Sequence, residues 1–181
     1  CSAAWLENLG NGKWEKHQIN REAGPSIQMS LIPDLIGDGR TMAVLANHVN
    51  SSDKPEGPKE GVFIMPLPKE QADLYNLWPA KMISQGMKSR PSPMMMPQGA
   101  PGVFTWGDIT GNGLVDIIIH GDGDPRVFLL EQVSSGQFET VVLIENFPQG
   151  GVETADIDGD GNLEVIASSY EANRLIILQR R

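Results

Sequence analysis

Ala155-Asp156-Ile157-Asp158-Gly159-Asp160-Gly161-Asn162-Leu163-Glu164-Val165-Ile166-Ala167 puts an oxygen-bearing side chain at every second position from 156 to 164, then runs into a short apolar stretch. Carboxylates on alternate residues of a tight glycine-containing loop can point inward together, and a hard dication takes several oxygens at about 2.3–2.6 Å. Asp156, Asp158 and Asp160 supply three, Gly161 permits the bend, the Asn162 carbonyl adds one, and Glu164 at the ninth position closes the shell. A helix–loop–helix calcium site would need its acid at the twelfth position, where this stretch has Ala167. The loop is therefore read as a turn between two strands. The alternative is an Asp/Gly-rich hairpin held only by its own hydrogen bonds; without a cation, its clustered carboxylates would repel one another.

The pattern recurs. Gly107-Asp108-Ile109-Thr110-Gly111-Asn112-Gly113-Leu114-Val115-Asp116 repeats it with fewer charges, so Asp108, Thr110, Asn112, the Leu114 carbonyl and Asp116 form a second, weaker candidate shell. Its twelfth residue, Ile119, is again not an acid. Pro33-Asp34-Leu35-Ile36-Gly37-Asp38-Gly39-Arg40-Thr41-Met42 keeps Asp34 and Asp38, but Ile36 and Met42 replace oxygen donors and Arg40 brings a positive charge. No calcium is expected there.

Each turn leads into compact apolar segments: 61–65, 126–131 and 174–178 follow the three repeats, with 137–143 and 13–19 as closing strands and Trp5-Leu6-Glu7-Asn8 as an earlier one. Four short antiparallel strands per unit make the chain all-β and fit the blades of a β-propeller. A β-sandwich is the competing fold, but it has no reason to place the same turn chemistry once in every four strands. With strands lettered a to d from the centre outward, residues 1–24 supply c and d of one blade, 25–99 a blade with insertions, 100–148 a blade, and 149–181 a partial blade. About three blades are present, an arc of a longer ring whose remaining blades would cover both ends.

Composition narrows the partners. Fourteen basic against twenty-three acidic residues give a net charge of −9, the wrong sign for a phosphate backbone, so nucleic acid is not expected. No apolar run reaches the ~18 residues of a membrane span. Cys1 is the only cysteine, which excludes an internal disulfide. A cysteine at a mature N-terminus can carry lipid in bacteria, although Trp5 already reads as strand. The lack of a leader before Cys1 is read either as cytosolic residence or as a leader already removed.

The acidic turns, with Gly102-Val103-Phe104-Thr105-Trp106-Gly107 and Trp5-Leu6-Glu7-Asn8, resemble FG-GAP/VCBS repeats, the calcium-loop blades of integrin-type propellers. The resemblance extends over nearly the whole chain. It implies a seven-bladed, usually extracellular propeller with structural metal loops. It also implies ligand roles for Asp156, Asp158, Asp160, Asn162 and Glu164, and for Asp108, Thr110, Asn112, Leu114 and Asp116, hence about two Ca²⁺ ions. The degraded first loop and the small number of blades depart from the family pattern.

In an antiparallel blade the a–b and c–d turns share one face, and the b–c and d–a connections share the other. The acidic turns are a–b. Partner binding is therefore expected on the opposite rim, at Asn47, His48 and Asn50, at His120, Asp122, Asp124 and Arg126, and at Tyr170, Glu171 and Asn173, side chains suited to a glycan or protein ligand. Insertions at 51–60 and 86–101 fall on that rim, the second carrying Met94, Met95 and Met96, which are read as buried against the next blade. A carbohydrate-active lyase or sugar dehydratase is the alternative, with His48, His120, Asp122, Arg126 and Tyr170 as candidate catalytic residues. No nucleophile elbow, HExxH zinc motif or phosphate loop is present, so a binding module is preferred. Trp5, Trp14, Phe63, Phe104, Trp106, Phe128 and Phe138 are expected to pack between blades, and Trp78 beside Pro79 is the one tryptophan with a case for exposure.

Overall fold

The computed structural model describes residues 3–51, 56–90 and 98–180. Cys1, Met94, Met95, Met96 and parts of both insertions lie outside the described residues.

The protein is all-β. Strands β1 (Ala3–Gly10) and β2 (Lys13–Asn20) form a two-stranded sheet. Strands β3 (Ser26–Ile32), β4 (Met42–Asn47), β5 (Val62–Pro66) and β6 (Lys81–Met82) form a four-stranded sheet, as do β7 (Phe104–Gly107), β8 (Asp116–His120), β9 (Arg126–Ser134) and β10 (Gln137–Glu145). Strands β11 (Gly150–Ala155), β12 (Glu164–Ser169) and β13 (Arg174–Leu178) make a three-stranded sheet. Every pairing between these strands is antiparallel and joins chain neighbours, and a lone antiparallel bridge links Val49 to Ala100. The sole helical element among the described residues is a 3-10 turn at Gln71–Tyr75.

The period-2 geometry of a strand explains how the sheets stack. In β4, Met42, Val44 and Ala46 enter one apolar cluster, while Ala43 and Leu45 enter another. In β8, Ile117 and Ile119 join Ile64 of β5 and its neighbours, while Ile118 joins Val127, Leu129, Phe147, Val165 and Ala167 on the far side. One cluster thus joins the first sheet to the second, one the second to the third, and one the third to the fourth. Central strands covered on both faces read as unbroken apolar runs, as a fully buried strand should. A sandwich would bury one layer between two sheets; three layers between four successive sheets are compatible with propeller blades.

Three expectations need correction. Trp14 is 59% exposed and Trp106 38% exposed, so neither is buried between sheets, whereas Trp78 is only 5% exposed. Trp78 is buried because a further extra segment, 67–80, folds back over the first sheet. Its backbone N–H donates to Ile19 O at 2.7 Å, and Asn20 Nδ2 donates to the Trp78 carbonyl at 3.2 Å. That segment joins β5 to β6 at the end of the sheet where the acidic turns lie, so the insertions are not confined to one rim.

Candidate metal centre

All three turns use one backbone design. Glycines at the fourth and sixth positions, Gly37 and Gly39, Gly111 and Gly113, Gly159 and Gly161, all have φ between 71° and 88°, a left-handed conformation that costs a side-chain-bearing residue energy. The first aspartate then accepts the amide of the sixth residue: Gly39 N–H reaches Asp34 Oδ1 at 2.6 Å, Gly113 N–H reaches Asp108 Oδ2 at 3.0 Å, and Gly161 N–H reaches Asp156 Oδ2 at 3.0 Å. The ninth residue opens the following strand in each case: Met42, Asp116 and Glu164. To this extent each turn is a hairpin that holds itself.

The charges are handled in three different ways. In the first turn Arg40 is the counter-ion, its Nε and Nη2 reaching Asp38 Oδ2 at 2.6 and 2.5 Å. The arginine hydrogen bond holds the Asp38 carboxyl below its ordinary pKa. Met42, at the ninth position, is buried in the apolar layer.

In the second turn Asp116 is fully buried and satisfied by the protein itself. Its Oδ2 accepts the amides of Ile109 and Thr110 and the Thr110 hydroxyl, at 3.1, 2.9 and 3.0 Å, and its Oδ1 accepts the Gln132 amide at 2.8 Å. Asn112 accepts the Leu114 amide at 2.8 Å and donates to the Gln132 carbonyl at 3.0 Å.

The third turn is the exception. Glu164 is 2% exposed; its Oε2 accepts the Ile157 amide at 2.8 Å, while its Oε1 is buried without a hydrogen-bond partner. Ligand atoms of Asp156, Asp158 and Glu164 all lie within 4.8 Å of one another. An unpaired buried carboxylate oxygen costs ~1–3 kcal/mol or more, and two further carboxylates close by add repulsion. A hard cation removes both penalties, and this donor set of carboxylate oxygens fits Ca²⁺. Asp160 turns instead to its own loop: its Oδ1 accepts the Asn162 amide at 2.7 Å, the main cause holding its carboxyl below the ordinary range. Two residues near the chain's end, which the spacing argument did not reach, close over this turn. Gln179 Nε2 donates to Asp158 Oδ2 at 2.5 Å, and Arg180 donates to Asn162 Oδ1.

The opposite rim is more tied up than its residue types suggest. Asn47 is buried and donates to the carbonyls of Ala23 and Lys59. His120 is fully buried; its Nδ1 accepts the Asp122 amide at 3.0 Å, and desolvation lowers its pKa to about 4. Asp124 is buried between Arg126, with Nε at 2.7 Å and Nη2 at 2.6 Å, and the Lys88 amide at 2.8 Å. What stays near solvent is a smaller group. His48 Nε2 stands 3.7 Å from Asp122 Oδ2 across two sheets. Burial raises the Asp122 pKa, with His48 opposing and Glu171 adding to the rise, and Tyr170, 69% exposed, is shifted upward by slight desolvation and then by Asp122 and Glu171. Tyr170, Asn173 and Arg174 also line an open groove with Gly150, Gly151 and Ser168.

Comparison with known proteins adds one match: residues 108–167 fit the model of the FG-GAP-like repeat. No curated protein matches the chain, and no solved structure does. The matched span runs from the second acidic turn through the third into β12, so the chain carries an FG-GAP-like repeat across residues 108–167.

Proposed function

We propose that this chain is a calcium-stabilised β-propeller module that works outside the cell and offers the rim opposite its acidic turns to a glycan or protein partner. The observation that carries the metal part is the buried, partnerless Glu164 Oε1 beside Asp156 and Asp158. Asp156, Asp158 and Glu164 would hold the ion, with Asn162 and Asp160 at the margin of the shell. The ion supplies positive charge that neutralises the cluster and ties the turn to β12. In the turn at 108–116 Asp116 spends both oxygens on the protein, so a second ion held by Asp108, Thr110, Asn112, Leu114 and Asp116 would bind more weakly. Exposed loops of this composition suit the calcium-rich extracellular side, where modules bind with Kd of about 10⁻⁴–10⁻³ M.

On the other rim, His48, Asp122, Tyr170 and Glu171 come from three sheets and sense one another's charge. Polar groups held by separate sheets next to an exposed tyrosine suit recognition of hydroxyl-rich or peptide surfaces. The lyase alternative loses His120, because a general acid or base must reach its substrate and His120 is buried; of its other candidates, His48, Asp122 and Tyr170 stay near solvent.

Calcium titration by calorimetry on chelator-stripped protein tests the metal part. One stronger and one weaker ion are expected, the stronger lost in Asp158→Ala. Absence of binding, or binding indifferent to Asp158→Ala, would reject it. For the rim, a glycan and peptide array probed with wild type and Tyr170→Ala should show ligands that the variant loses; identical profiles would remove this rim from the proposal.

A further inference from the structure

We propose that the first sheet holds a second kind of metal site, formed by Glu7, Glu15 and His17 and suited to a divalent transition ion of the zinc type. In the β1–β2 register Glu7 lies opposite Glu15 and Trp5 opposite His17. Because side chains alternate along a strand, all four share one face. Ligand atoms of Glu7, Glu15 and His17 lie within 4.8 Å of one another.

Two glutamates directly opposed on neighbouring strands repel each other. Among the described residues neither glutamate forms an ion pair with a lysine; Lys16 lies on the other face opposite Leu6, and Lys13, at the turn end of β2, is opposite Gly10. The ion pair recorded here is that of Glu7 with the imidazole, His17 Nε2 to Glu7 Oε2 at 2.9 Å, and it carries charge only when His17 is protonated. A dication would meet both carboxylates and the ring nitrogen at once.

Aromatic neighbours fix the orientation of the donors. Trp5 stacks on His17 with ring centroids 4.4 Å apart, and Tyr75 packs edge-on to His17 at 4.9 Å. Tyr75 Oη donates to Glu7 Oε1 at 3.2 Å, and Trp5 Nε1 is anchored on Leu74 O at 3.0 Å. Tetrahedral zinc, with ligands at about 2.0–2.2 Å, sets donor atoms about 3.4 Å apart. The 2.9 Å histidine–glutamate contact therefore opens by a few tenths of an ångström, and Glu15 closes in. One imidazole with two carboxylates selects a borderline ion such as Zn²⁺ over Ca²⁺, so the site is chemically distinct from the acidic turns. Three protein ligands leave a coordination position open.

The test is a Zn²⁺ titration of the full chain in saturating Ca²⁺, read by competition with a chromophoric chelator, for wild type, Glu15→Gln, His17→Gln and Glu164→Gln. One Zn²⁺ per chain is expected, weakened at least tenfold by Glu15→Gln and more by His17→Gln, and unchanged by Glu164→Gln. Glu15 is exposed, so its variant should keep the fold, and an unchanged melting curve without metal checks this. Failure to bind Zn²⁺, or binding that neither first-sheet variant weakens, overturns the proposal.

Discussion

The turns at 34–42 and 156–164 share a backbone and differ in what they do with charge. Both put left-handed glycines at the fourth and sixth positions, and in both the first aspartate accepts the sixth amide. One carries its own cation in Arg40 and sends Met42 into the apolar layer; the other carries three clustered acids and leaves Glu164 Oε1 buried and unpaired. The turn at 108–116 lies between them, its ninth-position acid satisfied by four protein donors. Turn geometry and charge satisfaction are therefore separable: glycines and the first aspartate make the turn, and the surroundings of the ninth position decide whether its polar atoms find protein partners.

Removing calcium should break the comparison most visibly. An ion bound only by the native state stabilises by about 2.7 kcal/mol at a concentration 100-fold above its Kd, which for a chain of this size means a fall of ~5–11 °C in melting temperature on chelation. A melting curve indifferent to EDTA would put the third turn on the same footing as the first.

Acid should act on the opposite rim, independently of the turns. His120 is lowered from 6.5 to about 4 by desolvation, so the folded state keeps it neutral while the unfolded chain takes up a proton. The unfolded state binds more protons in this window, and stability falls as pH drops from ~6.5 to ~4, by roughly 3 kcal/mol at the lower end. His120→Gln should flatten that part of a pH–stability profile in EDTA, and an equal slope in both proteins would refute the assignment.

Glu164→Gln sharpens the comparison from within the turn. It removes the buried charge while keeping the shape, so chelator-treated protein should gain about 1 kcal/mol and the calcium response should shrink. Denaturant titrations with and without Ca²⁺ read both effects; loss of stability under both conditions would mean that the carboxylate serves the fold alone.

The smallest effect is expected from Arg40. Arg40→Ala removes an exposed ion pair, whose class contributes little, and calcium stoichiometry by calorimetry should not change. A new ion bound by this variant would show that Arg40 by itself had been keeping the first turn closed to cations.

Much of this was legible along the chain because it is local. A glycine three residues after Asp108 or Asp156 and alternating donors specify a turn through contacts a few residues apart, and short apolar runs between turns specify antiparallel strands. The repeat let one turn be checked against another, and the all-β fold followed. The assignments that failed concern distant partners. Trp14 and Trp106 sit at strand positions like those of buried aromatics, yet their faces meet solvent, while Trp78, placed beside a proline, is held by Ile19 and Asn20.

What the sequence determined by itself was therefore the turn chemistry, the strand rhythm and the presence of acids in register, all set by neighbours within about ten residues. Only the tertiary structure decided which acids find hydrogen-bond partners within the protein and which do not. Gln132 on β9 completes Asp116, and Gln179 near the chain's end reaches Asp158. It also decided that Glu7 faces Glu15 and that Tyr75, distant in sequence, settles over His17. The physical reason is that satisfying a buried polar atom depends on what the packed sheets bring within about 3 Å of it, and spacing along the chain carries no record of that.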